Sequence, residues 1–77
     1  MQSTFDKILD TSGLRCPEPV MLLHNEIRRS KAGATIKVIA TDPSTERDIP
    51  RFCQFLGHEL LSMSQQEGLY CYLIRKA

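Results

Sequence analysis

At 77 residues, with 10 Lys and Arg against 9 Asp and Glu, the chain carries a formal net charge of +1. That length suits one domain, residues 1–77, with one modest core that buries only about 60% of the unfolded surface, and near-neutrality argues against a broad phosphate-binding surface, so no direct nucleic-acid contact is expected. No stretch reaches the ~18 apolar residues of a membrane span, Met1-Gln2-Ser3-Thr4-Phe5-Asp6-Lys7 has no apolar leader core, and cysteines at 16, 53 and 71 are too widely spaced for a disulfide framework or a zinc ribbon, so a cytoplasmic, reducing location is expected.

Phe5 to Asp10 reads as a first strand, and Thr11-Ser12-Gly13 as the turn that leaves it. A helix is predicted from Pro17 to Lys31, with Val20, Leu22, Leu23 and Ile27 inward and Arg28, Arg29 and Lys31 matching its negative C-terminal end before Gly33. Thr35 to Thr41 is rich in β-branched residues and sets Ile36, Val38 and Ala40 against Lys37 and Ile39, a half-buried strand. Pro50 would interrupt a helix capped at Ser44 just after its first turn, so the second helix is predicted to start near Asp48. From there Ile49, Phe52, Cys53 and Leu56 keep helical spacing until Gly57, and Cys53 reads as core. Glu59 to Ser64 and Leu69 to Arg75 close the chain as strands around Gln66-Glu67-Gly68, with Tyr70, Tyr72 and Ile74 facing the helices and Cys71 exposed. The order is βαβαββ.

The chemistry gathers at Gly13-Leu14-Arg15-Cys16-Pro17-Glu18-Pro19. Pro17 suits a first helical position and would hold Cys16 extended, which puts the thiol at the N-cap. The positive end of the helix dipole should then lower its pKa, with the Glu18 N–H as the local hydrogen-bond donor to sulfur and the Glu18 carboxylate opposing. Cysteine is a poor cap, so a demand other than helix stability is expected to keep sulfur there. Arg15, Pro17, Glu18 and Pro19 would shape the site.

A strand, helix, strand crossover makes the first two strands parallel, so the loops that leave them emerge together and bring residues 42–48 near Cys16. Asp48 reads as an N-cap, whereas Asp42 is less constrained and could line the site. Cys-Pro-Glu-Pro lacks the second thiol of a dithiol motif. No base is placed by sequence beside Cys16, since His24 lies about two turns along the helix and His58 follows the second one. No paired-ligand spacing suggests a metal. A thiol that accepts a group and hands it on is what remains. Met21, His24 and Arg28 form a second helical stripe starting about one turn from Cys16, a candidate partner-docking face that Phe55 and Asp42 could extend, although Met21 could equally border the core.

These residues resemble the TusA/SirA-like family of small sulfur carriers. The resemblance is carried by Leu9-Asp10, by Gly13 to Met21, by Asp42-Pro43 followed by Asp48-Ile49-Pro50, and by Tyr72-Leu73-Ile74-Arg75-Lys76. It implies an α+β fold, a two-layer α/β sandwich with two helices packed on one face of a mixed four-stranded sheet. It also implies a sulfurtransferase that holds sulfur as a persulfide on Cys16. A pyridoxal-phosphate-dependent cysteine desulfurase would load it, and a downstream sulfur-relay complex would receive the sulfur, for 2-thiouridine at the tRNA wobble position or for molybdenum cofactor synthesis. The carrier would bind no prosthetic group, metal or tRNA itself, and a monomer is expected. Two other classes stay open on the residues alone: a non-catalytic binding or regulatory module, since a similar two-layer fold serves in a translation initiation factor, and a thiol-redox protein pairing Cys16 with Cys53 or Cys71.

Overall fold

The computed structural model describes residues 5–77; Met1 to Thr4, part of the segment read above for a leader, lie outside them. The elements are β1 (Lys7–Thr11), α1 (Glu18–Arg29), β2 (Thr35–Ala40), α2 (Thr45–Leu56), β3 (Glu59–Gln66) and β4 (Leu69–Arg75). They build a mixed sheet in the order β1-β2-β4-β3, with β1 and β2 parallel and the other pairs antiparallel. Alternation decides which face is buried. Ile36, Val38 and Ala40 of β2 and Tyr70, Tyr72 and Ile74 of β4 turn to the helices and form the core with Leu23, Ile27, Ile49 and Cys53. The expected two-layer α+β sandwich is therefore the observed one.

The hairpin between β3 and β4 closes on two residues, Glu67 at φ 51° and Gly68 at φ 83°, a left-handed pair whose twist suits the flanking strands and which glycine adopts without steric cost. Gly57, at φ 81°, ends α2 as expected and donates to the Cys53 carbonyl.

Several details of the elements differ from expectation, among them the end of β3 at Gln66 rather than at the expected Ser64. The first strand starts at Lys7 and runs to Thr11, because Thr11 is pinned inside by its hydroxyl donating to the Ile39 carbonyl at 2.7 Å. In α1, Pro19 is buried and Leu22 is exposed, so the inward stripe is Pro19, Leu23 and Ile27 with Val20 at its margin. Most consequential is α2, which begins at Thr45 and carries Pro50 in its interior. The ring deprives the Glu46 carbonyl of its helical partner, but Glu46 is exposed and water can serve that oxygen. The start is secured from outside the helix: Asp42 Oδ1 accepts from the Ser44 N–H at 3.0 Å, and the Asp42 carbonyl accepts from the Thr45 N–H at 3.0 Å and its hydroxyl at 2.7 Å. Asp42 thus performs the task expected of Asp48.

Cys53 is 2% exposed and burial pushes its thiol up to about 11, which makes it an inert core residue. Cys71 is half-buried rather than exposed, on the helix-free face of the sheet. We expect Cys53→Ala to cost about 1 kcal/mol through a small cavity, lowering the thermal midpoint by about 4–8 °C, and Cys71→Ala to leave it nearly unchanged. Calorimetry of the two variants checks both.

Candidate functional site

Cys16 is exposed in the turn between β1 and α1. The helix starts one residue later than expected: Pro17 is the N-cap, its carbonyl accepts from the Met21 N–H at 3.1 Å, and Cys16 precedes it across a cis peptide. The Glu18 N–H is not available to sulfur. It donates to the Arg15 carbonyl at 2.8 Å and closes a tight turn over Cys16 and Pro17. Pro19, at the second helical position and without a donor, lies in the core and anchors this turn.

The loop after β2 meets the cysteine turn from the other side, as the parallel pairing of β1 and β2 requires. The Cys16 N–H donates to Asp42 Oδ2 at 2.6 Å, and the Gly13 N–H donates to the Thr41 hydroxyl at 2.8 Å. The same Asp42 oxygen accepts from the Ser44 hydroxyl at 2.8 Å. The Ser44 N–H, the Cys16 N–H and the Ser44 hydroxyl together hold the Asp42 carboxyl below the usual carboxylate range. Behind it, the Thr45 and Tyr72 hydroxyls share a buried hydrogen bond at 2.8 Å. A polar chain therefore runs from the core strand β4 through Thr45 and Asp42 to the backbone of Cys16.

The thiol shares an apolar cleft between the helices with Pro17, Val20, Asp48, Arg51, Phe52 and Phe55. Asp48, expected to cap the helix, does not: it lines the cleft beside the Cys16 thiol, and its carboxylate accepts from Arg47 Nε at 3.0 Å. The consequence reverses the electrostatic expectation. The Cys16 thiol is raised above its ordinary value, foremost by the Asp48 carboxylate, while Ser44 and Arg47 act the other way. A carboxylate beside the sulfur outweighs a diffuse helix end. Asp48, not Glu18, is the acidic group that dominates here, and Asp48 in turn is held below the usual carboxylate range, chiefly by the thiol.

Sequence reasoning missed Asp48 because aspartate near a predicted helix start is most simply a cap. The overlooked signal was the spacing Asp48, Arg51, Phe52, Phe55, one face of a helix once the start moves to Thr45.

Farther along the helices the cleft continues over Met21, His24, Asn25, Phe52, Phe55 and Leu56. His24 meets the Phe52 ring edge-on at 5.9 Å between centroids. Met21 is 58% exposed and Phe55 88% exposed, an unusual investment of apolar surface for a chain this small. Of the residues suggested as a docking face, Met21, His24 and Phe55 come together; Arg28 is not among the lining residues, and Asp42 is spent beneath the Cys16 turn with Arg15 nearby. Neither Cys53 nor Cys71 lines the cleft. Among the described residues no three His, Cys, Asp or Glu side chains gather as a metal site, and no helix is long and apolar enough to cross a membrane.

The chain is similar to known proteins over nearly its whole length. The sulfur carrier protein TusA of Pseudomonas putida (strain W619) is 63% identical over 73 residues, covering 95% of this chain and 91% of that protein. The sulfur carrier protein TusA of Pseudomonas aeruginosa (strain LESB58) is 59% identical over 76 residues, covering 99% and 96%. A crystal structure of a SirA-like protein from Desulfitobacterium hafniense shares the fold at a TM-score of 0.80 and 17% identity, over 91% of this chain and 96% of that one. The family model described as sulfurtransferase TusA matches residues 7–76, and the chain belongs to that family of sulfur carriers.

Proposed function

We propose that the carried sulfur resides on Cys16 as a persulfide, loaded in the cytoplasm by a cysteine desulfurase and passed to a downstream sulfur-relay complex, with tRNA wobble-uridine 2-thiolation as the destination. The observation that carries this reading is the exposed Cys16 thiol at the head of an apolar cleft, with the two other thiols outside it. Loading moves one sulfur atom. Cys16 Sγ attacks the outer sulfur of the donor's persulfide, the donor S–S bond breaks, and the donor cysteine leaves as a thiol after taking the proton. On this reading the carrier acts as a sulfurtransferase without prosthetic group, metal or tRNA of its own, and works as a monomer. The test is intact mass after incubation with a cysteine desulfurase and L-cysteine: one added sulfur on Cys16 supports the proposal, and an unchanged mass sinks it.

Met21, His24 and Phe55 are assigned to partner docking, because adaptable apolar side chains suit a carrier that meets a donor and an acceptor in turn. Met21→Glu should weaken binding to at least one of them by about tenfold or more, without a change in unfolding midpoint. Titration calorimetry with both partners reads this, and unaltered affinity for both would move the docking face elsewhere.

A further inference from the structure

Asp48 is a carboxylate without a structural task. Its side chain is only 19% exposed, yet it accepts no helix-capping hydrogen bond, and Ser44 and Asp42 manage the start of α2 without it. Its carboxylate accepts from Arg47 Nε at 3.0 Å, and it lines the same cleft as the Cys16 thiol. The other charged groups near the sulfur are differently engaged. Asp42 is committed to the Cys16 N–H and to Ser44, Arg15 acts on Asp42, and Arg51 lines the cleft from α2. Glu18 stands in the first turn of α1.

We propose that Asp48, braced by Arg47, is a positioning residue for the sulfur on Cys16, receiving the hydrogen bond of the sulfur-borne proton so that the loaded group is presented as neutral –S–SH. This rests on the persulfide reading above. The protonation state matters because the outer sulfur must behave as an electrophile when it leaves. An acceptor thiolate attacks that sulfur, the S–S bond to Cys16 breaks with its electron pair remaining on Sγ, and Sγ recovers a proton equivalent to the one the acceptor thiol gave up. An ionised –S–S⁻ repels the incoming thiolate, whereas –S–SH does not. The same carboxylate keeps the empty carrier as a thiol, which is quiet towards alkylating and oxidising agents. The upward displacement of the Cys16 thiol agrees with this.

Two small-molecule reactions test the assignment without a partner protein, in a Cys71→Ala background so that Cys16 is the accessible thiol. With the carrier empty, Asp48→Asn should be alkylated by iodoacetamide about threefold or more faster at neutral pH, with its pH midpoint shifted down. With the carrier loaded by inorganic polysulfide, cyanide attacks the outer sulfur and releases thiocyanate and the thiol; here Asp48→Asn should react about threefold or more slower than its parent. Asp48→Glu should restore both rates towards the parent. Asp48→Ala, which removes the same carboxylate with a good helix former, should change both rates in the same directions and keeps the test open if Asp48→Asn fails to fold. Coincident alkylation profiles, or equal cyanide rates, overturn the proposal. Failure of a cysteine desulfurase to load the wild-type protein would instead overturn the persulfide reading, and these rates tell the two failures apart.

Discussion

Cys16→Ser should gain no sulfur from a cysteine desulfurase, and its unfolding curve should overlay that of the wild type. The side chain is exposed, and the hydrogen bond that fixes this turn is donated by the backbone N–H to Asp42, so exchanging sulfur for oxygen removes the nucleophile and leaves the turn in place. A hydroxyl is also a far weaker nucleophile than a thiol. Loss of loading should therefore be complete rather than partial. Intact mass separates this from labelling elsewhere, because Cys53 is buried and Cys71 lies on the other face of the sheet. Sulfur uptake by the serine variant at the wild-type rate would remove Cys16 from the centre of the reaction.

The second expected result contrasts two apolar residues of one helix. Ile49 is fully buried, and Ile49→Ala should cost about 2–5 kcal/mol. A chain of this length has about 4–12 kcal/mol of stability in all, so the variant should be visibly destabilised in denaturant titration. Phe55 stands 88% exposed six positions later. Phe55→Ala should change stability by no more than about 0.5 kcal/mol and weaken partner binding by about tenfold or more. If Phe55→Ala proved the more destabilising of the two, the division between core face and cleft face of α2 would be wrong.

Much of this architecture was legible because its signals are local. The inward faces of β2 and β4 follow from strict alternation, and Gly57 and Gly68 mark ends that need positive φ. The start of α2 was not legible, because Pro50 is locally a helix breaker and the interactions that overrule it come from Asp42, outside the helix. Shifting that start by three residues also hid the role of Asp48. In the same way, the capture of the Glu18 N–H by the Arg15 carbonyl depends on how the turn closes, which residue spacing alone does not state. The acidity of Cys16 was read with the wrong sign for a related reason: the dipole is visible in a helix pattern, whereas the carboxylate that outweighs it arrives from a different segment.

The chain of hydroxyls from Tyr72 through Thr45 to Asp42 also orders events in time. β4 follows the other three strands in the sequence, yet lies between β2 and β3 in the sheet. During synthesis the cysteine turn leaves the ribosome early, but Thr45 and Asp42 lack their footing until Tyr72 is in register. A chain that stops before Tyr72 has paired with Val38 therefore displays the Cys16 thiol without the frame that positions it.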